Sequence, residues 1–108
     1  MSSHSDAENR IMSLLGFAQR SRKIVAGEEG IRAHIQNRKA KLILIAGDAK
    51  PQRLKEIAYW CSLYGTKNIQ FADQVRLGRA IGQQPRTALA VLDFSLADAI
   101  IKIWDGRE

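Results

Sequence analysis

The stretch "LILIA" (42–46) is an uninterrupted aliphatic run, and "GDAKP" (47–51) follows it directly. An apolar run without polar alternation is typical of a strand that is covered on both faces, so we expect helices on each side of the sheet. The glycine and aspartate predict a loop, and Pro51 suits the first turn of a helix. This segment therefore predicts the α/β fold class.

The segments around this strand alternate between helical and extended patterns. Ser5 and Glu8 have the spacing of a capping box, which predicts a helix near that point. Asp73 and Ser95 stand where they would cap two later helices, and Gly65 suits the end of a third. The predicted order begins and ends with a helix and places a strand between each helix and the next. We assign residues 1–8 to a flexible N-terminal tail and residues 9–108 to a single domain.

Charge and composition narrow the functional classes. The chain has 17 Lys and Arg residues against 11 Asp and Glu residues, which gives a formal net charge of +6. Such an excess favours a nucleic-acid partner, although a basic surface without a polyanionic partner would have the same composition. The first residues contain no apolar signal segment, and no apolar run approaches the ~18 residues of a membrane span. We therefore expect a cytoplasmic protein with no membrane partner.

No catalytic or metal-binding pattern is present in the sequence. Cys61 is the single cysteine and occupies a core position on its helix, so we expect an inert buried thiol. His34 lies on or beside an apolar helix face, where a core or boundary role is expected, and His4 falls in the predicted tail. The sequence contains neither a Walker motif nor a dinucleotide-binding glycine motif. We predict that the protein is not an enzyme and binds no metal or cofactor.

Three segments together resemble the kink-turn RNA-binding ribosomal protein family, which includes the archaeal large-subunit proteins "seven-A-e" and "thirty-e". They are "RKIVAGEEG" (22–30), "NRKAKLILIAGDAKP" (37–51) and "LGRAIGQQPRTALAVLD" (77–93). The similarity covers about residues 9–104 and is strongest to the small bacterial, ribosomal-protein-like members. It implies a three-layer α-β-α sandwich around a four-stranded mixed sheet with about five helices, and no enzymatic activity.

The resemblance also implies where RNA binds. In the family, the RNA surface comprises the turn after the first strand, the start of the next helix and the loop before the last strand, with the loop at Asp48 and Lys50 nearby. The residues at matching positions, with neighbouring cations as candidate phosphate contacts, are Arg22, Lys23, Gly27, Glu28, Glu29, Arg32, Lys50, Gln83, Gln84, Pro85 and Arg86. Gly27 and Gly82 are expected to adopt backbone conformations closed to other residues.

The two adjacent glutamates have two possible roles. Kink-turn binders contact guanines of sheared G·A pairs, whose free Watson–Crick edge presents N–H donors that a carboxylate can accept. Alternatively, Glu28 and Glu29 only complement the positive end of a helix dipole. This sequence departs from the family's Asn, Glu and Lys pattern, because Glu29, Gly30 and Ala33 stand at those positions. The resemblance thus implies a protein that binds kink-turn RNA, possibly ribosomal RNA, and a protein–protein interaction module is the alternative. The sequence does not indicate an oligomeric state, and we take a monomer as the default.

Overall fold

The computed structural model describes residues 3–107, in which helices and strands alternate as the sequence predicts. The elements are α1 (Ser3–Arg20), β1 (Ile24–Val25), α2 (Glu28–Gln36), β2 (Leu42–Ile45), α3 (Pro51–Tyr64), β3 (Asn68–Gln70), α4 (Gln74–Ala80), β4 (Ala88–Val91) and α5 (Phe94–Asp105). The α/β fold class is confirmed. None of the described helices is long and apolar enough to cross a membrane.

The four strands form one mixed sheet in the order β1-β4-β2-β3. Strand β4 is antiparallel to both of its neighbours, and β2 and β3 are parallel. The carboxyl ends of β1, β2 and β3 therefore meet the amino end of β4 at the same edge of the sheet. We call this the loop edge; it comprises residues 26–29, 46–50, 71–73 and 82–87. The other edge, where α1, α2 and α3 end, is called the far edge.

Helices cover both faces of the sheet. Leu42 and Leu44 pack in a core with residues of α1, α4 and α5, whereas Ile43 and Ile45 pack in a second core with residues of α2 and α3. All four residues of β2 are buried, with at most 2% of their surface exposed. Burying a Leu or Ile side chain contributes roughly 1.5–3 kcal/mol to the stability of the fold. Because its side chains alternate between the two faces, β2 stabilises both cores. The predicted three-layer α-β-α sandwich is confirmed.

Two helix starts differ from the sequence prediction. Helix α1 begins at Ser3, so residues 3–8 of the predicted tail are helical and the capping-box spacing does not mark the helix start. Met1 and Ser2 lie outside the described residues. Helix α5 is capped by Asp93, whose carboxylate accepts a hydrogen bond from the Leu96 N–H at 2.9 Å, rather than by Ser95. The cap of α4 at Asp73 and the left-handed Gly65 after α3 agree with the prediction.

The loop before β4 lies directly on the backbone of α4. The N–H of Gln83 donates to the carbonyl of Gly78 at 2.8 Å, which brings the loop against that residue. A Cβ added at Gly78 would lie 2.1 Å from the carbonyl oxygen of Gln84 and 2.9 Å from the Cα of Pro85. Gly78 is therefore the residue that lets this loop close over α4.

We expect Gly78→Ala to destabilise the protein by about 1–3 kcal/mol, because the atoms in conflict are backbone atoms that cannot rotate away. Urea unfolding followed by circular dichroism measures this change. Gly16→Ala is the matched control within α1, because its new Cβ would be in ordinary contact at 3.4 Å from the Ala80 oxygen. The control should gain up to about 1 kcal/mol from helix propensity. Equal stabilities of the two variants would contradict the close approach.

The thiol of Cys61 is buried, with 1% of the residue exposed. Burial raises its pKa from an ordinary value of 9.0 to about 11, and a hydrogen bond with Asn68 acts in the opposite direction. The folded state therefore prefers the protonated thiol. This preference stabilises the fold below pH 9 and is lost as the pH rises from 9 towards 11. The prediction of a buried thiol is confirmed.

At pH 8 the native thiol should react with iodoacetamide at least about a hundredfold more slowly than the same thiol in urea, because two pKa units remove that much thiolate. The measurement compares alkylation rates with and without denaturant by mass spectrometry. Equal rates would show that the native thiol is exposed and ionised like that of an unfolded chain.

Candidate functional site

A cavity of about 170 Å³ opens at the loop edge. Its walls come from the turn after β1, from one face of α3 and from the loop before β4. The lining includes Glu28 from the turn, Trp60 from α3 and Arg86 from the loop. The fold thus brings together the turn and the loop that the sequence places about 55 residues apart.

The start of α2 presents its two glutamates differently. Glu28 forms an ion pair and a hydrogen bond with Arg53 of α3, so its carboxylate is already engaged. Glu29 is exposed, and among the side chains of residues 6–107 its carboxylate has no hydrogen-bonding or ionic partner. Gly27 precedes the helix and supplies no side-chain cap. A ligand at the loop edge therefore meets one free carboxylate next to the unpaired amides of a helix N-terminus.

The prediction for the two loop glycines is correct for one of them. Gly82 adopts a φ of +67°, a left-handed conformation that favours glycine. Gly27 has a φ of −91° and a ψ of 149°, which any residue adopts, so its conformation does not explain the glycine. A Cβ added at Gly27 would meet no atom within 4 Å.

Arg53 is a site residue that the sequence analysis missed. It lines the cavity, pairs with Glu28 and lies 3.6 Å from Glu56 on the next turn of α3. It therefore supplies a cation next to the turn, where the sequence has Ala33 in place of the family lysine. No spacing signal identifies Arg53, because it belongs to a different helix from the turn that it contacts.

Arg32 does not point into the turn but lies over an aromatic ring of α3. Its guanidinium carbon is 5.1 Å from the centre of the Trp60 ring, a distance suited to a cation–π contact. Trp60 lines the cavity and is half-buried. The sequence analysis identified Arg32 but not its partner.

The guanidinium of Arg86 is held within its own loop. The side-chain oxygen of Gln83 accepts hydrogen bonds from Nε of Arg86 at 3.1 Å and from Nη2 at 2.7 Å. Pro85 and Arg86 both line the cavity. Gln83 therefore orients the cation, and Gln84 contributes the carbonyl that rests on Gly78.

Gln74, the first residue of α4, connects the loops and was also missed. Its N–H donates to the carboxylate of Asp48 at 3.0 Å, and its side-chain amide donates to the Asp48 carbonyl at 3.3 Å. Its backbone oxygen accepts from the Arg86 N–H at 3.0 Å, and its side-chain oxygen accepts from the Thr87 hydroxyl at 3.4 Å. One glutamine thus joins the loop after β2 to the loop before β4. Lys50, at the end of the same β2 loop, is exposed.

Two of the candidate cations lie elsewhere. The carbonyl of Lys23 accepts a hydrogen bond from the N–H of Leu92, which follows β4, so Arg22 and Lys23 lie at the far edge. The four residues of β2 span about 13 Å between the two edges, at ~3.3 Å per residue. Arg22 and Lys23 therefore do not share a surface with the cavity.

The residues at the loop edge offer hydrogen bonding and charge rather than catalysis. His34 uses its Nδ1 in a 2.7 Å hydrogen bond with the carbonyl of Gly30, which fits the predicted boundary role. Across residues 6–107, no group of three or more His, Cys, Asp or Glu side chains is arranged to hold a metal ion. The arrangement suits recognition of a ligand that has both donors and anionic groups.

Comparison with known proteins agrees with the resemblance in the sequence. The family model described as the ribosomal protein L7Ae/L30e/S12e/Gadd45 family matches residues 9–101. The RNA-binding protein YlxQ of Bacillus subtilis is 36% identical over 92 residues, covering 85% of this chain and 92% of the relative. The large ribosomal subunit protein eL30B of Schizosaccharomyces pombe is 34% identical over 92 residues, covering 83% and 79%.

Solved structures share the fold. A protein of unknown function from Bacillus halodurans has a TM-score of 0.84 at 29% identity, covering 88% of this chain and 96% of that one. The 15.5kD RNA binding protein of Giardia lamblia has a TM-score of 0.78 at 20% identity, covering 91% and 84%, a likeness of fold alone.

The relatives are ribosomal and RNA-binding proteins rather than enzymes, which supports the prediction that the chain has no catalytic activity. The family match covers most of the described chain and includes the three segments on which the resemblance is based. The chain belongs to the ribosomal protein L7Ae/L30e/S12e/Gadd45 family.

Proposed function

We propose that the chain is a non-catalytic RNA-binding protein whose loop edge recognises sharply kinked RNA containing sheared G·A pairs. It acts as a monomer in the bacterial cytoplasm, on ribosomal RNA or on another structured RNA. The Bacillus subtilis relative is named as an RNA-binding protein, and the Schizosaccharomyces pombe relative is named as a ribosomal protein. Both names support an RNA ligand for this chain.

One observation carries the proposal: the turn after β1 and the loop before β4 line the same cavity. A bent RNA that inserts at the loop edge would contact both segments at once. Had the two segments been on opposite faces, no single ligand would reach them. Their common cavity supports a single binding site built from residues that are distant in sequence.

In this proposal Glu29 recognises a guanine of the sheared G·A pairs. A sheared guanine exposes donors on its Watson–Crick edge, and a free carboxylate accepts from two of them. Glu28 takes a different role, because its pairing with Arg53 occupies its carboxylate. The ion pair between Glu28 and Arg53 joins the turn to α3 and leaves Glu29 as the carboxylate that accepts hydrogen bonds from the base.

Cations around the turn hold the phosphates. Arg86 keeps one guanidinium nitrogen free of Gln83, and Arg53 and Lys50 lie on the α3 side of the same edge. Phosphate contacts supply affinity, whereas base contacts supply specificity. The half-buried Trp60 and the exposed Pro85 add apolar surface that suits an unstacked base.

A protein-interaction module on the same fold is the second candidate function. Its support is the loss of the family's Glu and Lys at positions 30 and 33. A Cβ added at Gly30 would lie 2.7 Å from Cγ1 of Val25, so a glutamate there would require the Val25 side chain to move. On this reading the loop edge binds protein, and any RNA binding is independent of G·A pairs.

Glu29→Ala should weaken binding to a kink-turn by about 1–3 kcal/mol, the range of a lost hydrogen bond to a charged group. Gel-shift titration against the RNA with intact G·A pairs, and then with those pairs replaced, gives a double-mutant cycle. The effect of the mutation should vanish on the RNA without G·A pairs.

Asp105→Ala is the charge-matched control for Glu29, because Asp105 is an exposed acid in the other helical layer. It should leave both affinities unchanged. If Glu29→Ala has the same effect on both RNAs, base recognition by Glu29 is wrong. If the wild-type protein binds both RNAs equally, the interaction-module reading replaces the kink-turn proposal.

Arg86→Ala should weaken binding and flatten the salt dependence. Removing one phosphate contact lowers the slope of log K against log salt by about 0.9. Affinities measured between about 50 and about 200 mM salt give the slope. Lys102→Ala is the matched control, because Lys102 is exposed and pairs with Asp98 at 3.0 Å in the other layer. An unchanged slope for Arg86→Ala would remove this residue from the phosphate contacts.

A further inference from the structure

The far edge of the sheet carries most of the net charge of the protein. Six cations lie there, in the turns that lead into β1, β2 and β3: Arg22, Lys23, Arg38, Lys39, Lys41 and Lys67. Asp93, which caps α5, is the one carboxylate that follows a strand at this edge within the described chain. About five of the six net positive charges of the chain therefore lie away from the loop edge.

Helix dipoles explain only part of this excess. The C-termini of α1, α2 and α3 meet at the far edge, and each carries about half a negative charge. The N-terminus of α5 is there as well and offsets one of them, so the dipoles contribute about one negative charge in total. About four positive charges remain without a compensating negative charge. In the part of the chain that the structure describes, none of the six cations has an ion-pair partner.

Three of these lysines form a row across the sheet. Lys41 donates its N–H to the carbonyl of Val91, and the carbonyl of Lys67 accepts from the N–H of Ile43. Lys23 is bonded to Leu92 on the other side of β4. Since neighbouring strands lie about 4.8 Å apart, Lys23, Lys41 and Lys67 span about 14 Å.

A groove beside this row carries aromatic side chains. It has a volume of about 410 Å³ and includes Arg38, Lys41, Tyr64, Lys67, Phe94 and Ile101 in its lining. The Phe94 residue is 69% exposed, although it is a large apolar residue at the start of a helix. Arg38 lies over the Tyr64 ring at 5.8 Å, which leaves Phe94 as the uncovered ring. We call this surface the basic groove.

We propose that the basic groove is a second RNA-binding surface, which takes single-stranded RNA by stacking a base on Phe94 while Lys41 and Lys67 hold phosphates. Proteins that bind single strands combine exposed aromatic rings with a positively charged groove in this way. An acidic peptide would need the lysines but would gain little from an exposed phenyl ring. The inference goes beyond recognition at the loop edge, and it rests on the proposed function only in taking RNA as the ligand.

The test uses the full chain and a fluorescent oligouridine of about eight nucleotides, a typical single-strand site size. Fluorescence anisotropy should show binding that Phe94→Ala weakens at least fivefold, the lower end for the loss of one stacked base. The double variant K41Q/K67Q should reduce the salt slope by about 1.4, because each phosphate contact on a single strand contributes about 0.7.

Matched controls use the outer face of α3. Tyr59→Ala removes another exposed aromatic residue, and Lys55→Gln removes another exposed lysine, neither of which lines the groove. Both should bind the oligouridine like the wild type. If the controls lose as much affinity as the groove variants, or if the wild type does not bind, the proposal is wrong.

Two further measurements separate the alternatives. A blunt kink-turn RNA should bind the groove variants and the wild type equally, so failure of kink-turn binding would count against the loop edge alone. Polyglutamate serves as the acidic-polymer probe. If it binds as tightly as the oligouridine, and Phe94→Ala affects neither ligand, the groove binds acidic polymers and the RNA proposal is overturned.

Discussion

The burial of β2 and β4 on both faces is the constraint on which the structure depends. Their residues point alternately into two cores, so neither helical layer can be removed without exposing half of the central strands. Ala88 and Ala90 face the α2–α3 layer, while Leu89 and Val91 face the other. Small side chains on one face of β4 leave room for α2 to pack against it. The position of α2, and with it the two glutamates at its start, follows from this packing.

The reversed direction of β4 determines which loops meet. Because β4 lies between β1 and β2 and runs against both, the loop that enters it reaches the edge where β1 and β2 end. Gly78 lets that loop close over α4, and Gln74 ties it to Asp48. The loop edge is therefore held in place by backbone contacts and by one glutamine.

The same strand directions separate the charges of the molecule. Helices α2, α3 and α4 begin at the loop edge, where Glu28 and Glu29 of α2 and the capping Asp73 of α4 match the positive ends of two of the three dipoles. Glu28 also pairs with Arg53 of α3. Helices α1, α2 and α3 end at the far edge, where the cations have no acidic partners among the described residues. A basic protein is thus nearly balanced at the loop edge and strongly positive at the far edge. Net charge alone favoured a polyanionic partner but did not identify the surface that would attract it.

The sequence by itself determined the order of the elements, the doubly covered strand at 42–46, the buried thiol and the family resemblance, because these follow from local periodicity and from short contiguous segments. Only the tertiary structure decided that Glu28 is engaged and Glu29 free, that Arg53 lies beside the turn and that Arg22 and Lys23 lie at the far edge. Hydrophobic periodicity acts within a few residues, so the sequence predicted the elements well, although it misplaced the caps of α1 and α5. Contacts such as Arg53 with Glu28 join different elements, and they exist only once strand order and direction have brought those elements together.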